Sequence, residues 1–213
     1  MKDIEKQGEG ELDDLVSKLQ REVKNVKQVQ KQEIIESVVL CLDVSGSMSE
    51  HRKIGSLINA TSAFIRKSMQ NKMSEVRCIR FSSSADIVNI AEILHSPETV
   101  LYAYGNTAMH SGLEAAYNTM IEAVSMKRNE KKRVILMTDG YADNAEMVKA
   151  VINVKMIPAR IVVDTVSFGP SDMDLLKWIA HATGGKFYAV EEFEKLIDTF
   201  LMLETKARWL LNG

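Results

Sequence analysis

Val38-Val39-Leu40-Cys41-Leu42-Asp43-Val44-Ser45-Gly46-Ser47 decides how this chain is read. Five apolar residues in succession suit a strand buried on both faces of a sheet, where alternation with polar residues is not needed. The run ends on a carboxylate. Two hydroxyls follow on what reads as a tight turn, so three hard oxygen atoms gather at one strand end. Such a set suits a small divalent cation.

Downstream, two further pieces have the same character. Val134-Ile135-Leu136-Met137 is a second apolar run, and Thr138-Asp139-Gly140 ends it. Between the two runs, Gly105-Asn106-Thr107 precedes a helical pattern. Asp43, Ser45, Ser47, Thr107 and Asp139, in this order and at these strand ends, resemble the metal-ion-dependent adhesion site of von Willebrand factor A domains, over residues 36–188. In that family, the resemblance implies, Ser45 and Ser47 bind the metal directly, Thr107 does so in the ligand-competent state, and Asp43 and Asp139 act partly through water. One coordination position then stays open for an Asp or Glu carboxylate of a partner protein. Two carboxylates and three hydroxyls favour Mg²⁺ or Mn²⁺. The lack of His or Cys among the five argues against zinc.

The rest of the chain alternates between strand and helix patterns. Strands are expected over 37–43, 76–81, 87–90, 133–137, 160–168 and 186–190. Helices are expected over 53–70, 108–125, 145–154, 172–181 and 193–211. This alternation predicts an α/β fold: a doubly wound, mainly parallel six-stranded sheet with one short antiparallel edge strand and helices on both faces. In such sheets ligands bind beyond the carboxyl ends of the strands, where strand order reverses. Asp43 and Asp139 belong there if their strands are neighbours. The resembled family has the same architecture. Gly184-Gly185 reads as a helix end before the last strand.

Ahead of this domain, assigned to residues 36–213, lie two other segments. Residues 1–10 are polar, contain Gly8 and Gly10, and read as a disordered tail. Over 11–35, Leu12, Val16, Leu19, Val23 and Val26 form a helical stripe among charged residues, which predicts an amphipathic helix appended to the domain.

Bulk properties exclude several function classes. The 213 residues are 46% apolar and 26% charged, with a formal net charge of -2, so no general drive toward nucleic acid or an anionic membrane exists. The basic cluster 127–133 precedes a strand, which puts it at the sheet end opposite the metal loops, and it has no interleaved aromatics. No apolar stretch approaches the roughly 20 residues of a membrane span, and the first residues lack the apolar core of a signal peptide. Cys41 and Cys78 are the only cysteines. Both fall in strand patterns and read as buried reduced thiols, which points to the cytoplasm.

Enzymatic readings lack their parts. Haloacid-dehalogenase-like phosphatases place a second Asp two residues after the nucleophile, where this chain has Ser45. No glycine-rich phosphate loop occurs. His51, His95, His110 and His181 are scattered, and only the first and third fall near the site loops. The reading is therefore a non-enzymatic, cation-dependent protein-binding module. Intracellular relatives of the resembled family imply an AAA+ ATPase partner, as in chelatase-type remodelling systems. The competing reading is a metal-dependent hydrolase in which the same cation activates water.

Overall fold

A computed structural model describes residues 36–70, 74–124, 131–169, 171–190, 195, 197–199 and 202. The chain divides into a unit Met1–Glu33 and a unit Ile34–Gly213. The first unit, with the tail and appended helix expected there, lies outside the described residues, as does most of the last expected helix.

The expected strand around Leu40 is β1, Glu36–Asp43, and all eight of its residues are buried. Its neighbours are parallel on both sides: β2, Ser74–Phe81, and β4, Lys131–Thr138. β2 carries the antiparallel edge strand β3, Ala85–Val88. Beyond β4 lie β5, Ile161–Phe168, and β6, Phe187–Val190, both parallel. The strand order is therefore β3-β2-β1-β4-β5-β6. The chain winds outward from β1 in one direction and returns to start again at β4. The reversal lies between β1 and β4, so the loops that leave these two strands diverge and open a crevice.

Alternation along β1 divides the core. Val38, Leu40 and Leu42 face one side, against Leu57, Ile58, Phe64 and Ile65 of α1, Lys53–Gln70. Val39 and Cys41 face the other, with Met109, Leu113, Ala116 and Met120 of α2, Met109–Val124. Val148 of α3, Ala145–Val151, and Leu175, Leu176 and Ile179 of α4, Met173–Thr183, complete that second layer. Ile121, on the same helix as Met120, is 38% exposed. Cys78 belongs to the first layer and Cys41 to the second, so the sheet itself separates the two free thiols. Burial pushes the Cys78 thiol up to about 12 and the Cys41 thiol higher still. Both stay protonated and inert.

Three local expectations are corrected. The edge strand was expected over 87–90 and begins at Ala85 instead. The Ser82 N–H bonds the Ser84 carbonyl oxygen at 2.8 Å, which closes the hairpin loop within three residues. A short helix, Ile90–His95, takes the end of that expected strand, because Asn89 caps it by accepting the Ala91 N–H at 2.9 Å. The helix expected over 145–154 changes after Val151 into a π-helical turn, Ile152–Met156. Gly184 ends α4 in the left-handed conformation, at φ 76°, as its position in the sequence implied. Among the described residues, no helix is long and apolar enough to cross a membrane.

Candidate metal centre

Asp43 is the last residue of β1 and is fully buried. One of its oxygens accepts the Ser45 N–H at 2.8 Å, a short-range bond that bends the chain away from the strand. The other accepts the hydroxyl of Thr138, the last residue of β4. The reversal point of the sheet is thus stitched by the first of the predicted residues. Burial raises the Asp43 carboxyl to about 6; hydrogen bonds from Ser45 and Thr138 oppose the rise, and the nearby charge of Asp139 adds to it. A carboxylate held this way favours an added positive charge.

Past the turn, Ser45 is buried and Ser47 half-buried, with their hydroxyl oxygens 3.2 Å apart. Adjacent ligands of an octahedral Mg²⁺, at roughly 2.1 Å from the ion, are separated by about 3 Å, so this pair fits one edge of such a shell. The Ser47 hydroxyl donates to Asp139 Oδ1 at 2.8 Å. Asp139 directly follows β4 and is 1% exposed. Four of the five predicted residues are therefore linked through hydrogen bonds, Asp43 by way of its turn.

Thr107 arrives from the side. The Gly46 N–H donates to the Gly105 carbonyl oxygen at 3.0 Å, which ties the first loop to the second. Gly105 has φ 69°, and a Cβ there would lie 2.6 Å from Ser83 Oγ, so only glycine suits this position. The Thr107 N–H and carbonyl oxygen then form a reciprocal pair with Asp143, at 3.2 Å to its Oδ1 and 3.1 Å from its N–H. A Cβ added at Gly140 would lie 3.4 Å from Thr107 Oγ1 and 3.9 Å from Ser47 Oγ. Both hydroxyls thus face the space over Gly140. Behind this loop, Gly112 lets α2 press on the sheet, since a Cβ there would lie 2.7 Å from the Phe81 ring.

All five oxygen-bearing residues converge at the crevice, and the donor set fits a hard divalent cation. Among the described residues, no group of three His, Cys, Asp or Glu side chains could hold a metal. The His51 side chain is 78% exposed, with Glu50 3.9 Å away, and His110 lies in α2. Three residues were not among the predicted ligands. Thr138 bonds Asp43 and also accepts the Gly140 N–H at 3.1 Å. Asp143 fixes Thr107. Lys53, 5% exposed, places its ammonium 2.6 Å from Asp139 Oδ2. Thr138 was legible as a strand-end hydroxyl beside Asp139. Lys53 carried only a weak signal, a cation opening an amphipathic helix.

Comparison with known proteins agrees with this fold. The family profile described as the von Willebrand factor type A domain matches residues 37–201. No curated protein matches the chain. Among solved structures, von Willebrand factor type A from Catenulispora acidiphila superposes with a TM-score of 0.69 at 22% identity, over 80% of this chain and 42% of that one. Proximal thread matrix protein 1 from the mussel byssus, described with a zinc occupied MIDAS motif, gives 0.62 at 18% identity, over 81% and 46%. The manganese-loaded TRAP protein of Plasmodium vivax gives 0.63 at 16% identity, over 78% and 72%. At such identities the likeness is one of fold. The chain spans less than half the length of the first two.

Proposed function

The chain belongs to the von Willebrand factor type A domain family, and from that premise we propose that it is a protein-binding module that recognises its partner through a divalent cation. Asp43, Ser45, Ser47, Thr107 and Asp139 hold the cation. The observation that carries this reading is the convergence of three loops, from opposite sides of the reversal point, into one cluster of oxygen atoms, buried at Asp43, Ser45 and Asp139 and half-buried at Ser47 and Thr107. Bound there, the cation supplies a Lewis-acidic position for an Asp or Glu carboxylate of the partner. The chain's own residues do the rest. Thr138 and the Ser45 N–H orient Asp43, and Asp143 holds Thr107 at the rim. Tyr141, 65% exposed on the loop that follows Asp139, offers the partner an aromatic contact.

Mg²⁺ or Mn²⁺ is the proposed ion. The manganese and zinc named for the two solved relatives make zinc a competitor to be tested, since an oxygen-only donor set does not exclude it by itself. The proposal extends to a cytoplasmic setting and to an AAA+ ATPase as partner, on the strength of the family resemblance.

Calorimetric titration of the full chain with Mg²⁺, Mn²⁺ and Zn²⁺ tests the site. Binding should occur once per chain and disappear in Asp43→Ala. Ser45→Ala should weaken it while the fold persists. Equal binding by wild type and Asp43→Ala would refute the assignment. Phosphoester turnover that vanishes in Asp43→Ala would place the cation in a hydrolase instead. A tagged chain should capture an ATPase in Mg²⁺ and lose it in chelator; capture that ignores chelator would place recognition on another face.

A further inference from the structure

Lys53 is the first residue of α1. Its ammonium approaches Asp139 Oδ2 at 2.6 Å, the Ser47 carbonyl oxygen at 3.3 Å and Glu50 at 3.7 Å. Three features set this lysine apart. An ammonium is a compact, strongly hydrated charge, and its burial is costly unless a partner offsets it. The first turn of a helix bears the positive end of the helix dipole, which disfavours a cation. The chain also reaches Lys53 through His51 and Arg52, both left-handed at φ 49° and 62°, a conformation costly for residues that carry a Cβ. The Lys53 N–H bonds the Met48 and Glu50 carbonyl oxygens and closes that kink. Burial, helix position and the left-handed kink all count against a lysine here. Its compensation lies at Asp139.

The ammonium and the Ser47 hydroxyl occupy opposite oxygens of that one carboxylate. We infer that Lys53 is an internal counter-cation of the site, which neutralises Asp139 in the metal-free protein and sets how tightly a divalent cation is held. The inference rests on the metal-binding reading above and adds a determinant of its affinity. Without Lys53, two buried carboxylates would stand unneutralised at the reversal point. With it, a divalent cation must either share Asp139 with the ammonium or displace it. In both cases repulsion between the two cations opposes loading, and partial burial keeps that repulsion stronger than in bulk water. Residues 50–52 are the segment able to yield, because relaxing His51 and Arg52 to right-handed backbone would release their strain as Lys53 moves away.

Calorimetry of the full chain with Mn²⁺ tests this in wild type, Lys53→Met, Lys53→Gln and Lys53→Arg. Removing the charge should tighten binding by about tenfold or more. Lys53→Arg, which keeps the charge, should bind no tighter than wild type. In chelator, Lys53→Met should melt below wild type, and its melting temperature should rise more on addition of Mn²⁺. If Lys53→Met does not fold, Lys53→Gln, which keeps a hydrogen-bond donor toward Asp139, carries the test alone. Binding by Met and Gln variants with none by wild type would support the inference most strongly. Wild-type binding that Asp43→Ala abolishes, with no gain in either neutral variant, would overturn the inference and leave the metal site standing. No binding by any of them would remove both.

Discussion

Two buried ion pairs sit at opposite ends of the same sheet. At the amino end, Arg133 Nε donates to Asp164 Oδ2 at 2.6 Å, and Arg133 Nη2 reaches the same oxygen. Asp164 Oδ1 accepts the Lys186 N–H at 2.6 Å. Both residues lie within the β4–β5 ladder, two rungs apart in register. Their directions are thus set by paired backbone, and both carboxylate oxygens are filled by N–H donors. At the carboxyl end, Asp139 lies just past its strand. Its oxygens meet a serine hydroxyl and a lysine carried on a kinked segment. A hydroxyl can turn its lone pair toward a cation and an ammonium can swing away, whereas a ladder-held guanidinium can do neither. One buried pair is held between strands, the other where the strands stop; the proposed cation exchange needs the second arrangement.

Removing the amino-end carboxylate should break the comparison most sharply. Asp164→Ala removes the carboxylate in contact with Arg133 while Glu36 stays 4.0 Å away, and should cost about 3 kcal/mol in urea unfolding, with Mn²⁺ affinity unchanged. A loss below 1 kcal/mol would show that the ladder pair is dispensable. Gly105→Ala comes next. It forces a Cβ into left-handed backbone against Ser83 Oγ, at an expected cost of about 1–3 kcal/mol. It should also weaken Mn²⁺ binding by displacing Thr107; stability loss with intact binding would detach Thr107 from the site.

Asp43→Asn tests the opposite end with a smaller expected effect on stability. A neutral amide avoids the buried charge that the raised carboxyl value reports. In chelator at pH 7 the variant should therefore unfold within about 1 kcal/mol of wild type or above it, yet bind no Mn²⁺. A large loss of stability would make Asp43 a structural residue like Asp164. Tyr141→Ala should change stability by less than about 0.5 kcal/mol, since the side chain is exposed. It should nevertheless weaken partner capture in Mg²⁺. Unchanged capture would remove Tyr141 from the recognition surface.

Most of the fold was open to a reading of the residues. Uninterrupted apolar runs such as Val38 to Leu42 and Val134 to Met137 signal strands covered on both faces, and the helical stripe of Leu57, Phe64 and Ile65 signals the layer that covers one of them. One failure came where a short polar cue outweighed an apolar one. Asn89 captured Ile90 for a helix, although Ile87 and Val88 pointed to a continuing strand. The five oxygen-bearing residues could be gathered in advance because each stands at an element boundary, where ordered strands and loops restrict its position. Lys53 and Asp143 could not be. Each acts through a partner far along the chain, 86 residues away for Lys53 and 36 for Asp143.

By itself the sequence determined the alternating architecture, the buried strands and the oxygen set, because period and strand–loop order are local properties written residue by residue. The tertiary structure alone decided that β1 and β4 are neighbours, and with that the meeting of Asp43 and Thr138. It also decided that one buried ion pair forms within the β4–β5 ladder and the other past the strand ends. Those outcomes depend on electrostatic and hydrogen-bond partners that meet only when distant strands are packed, and no local preference specifies them.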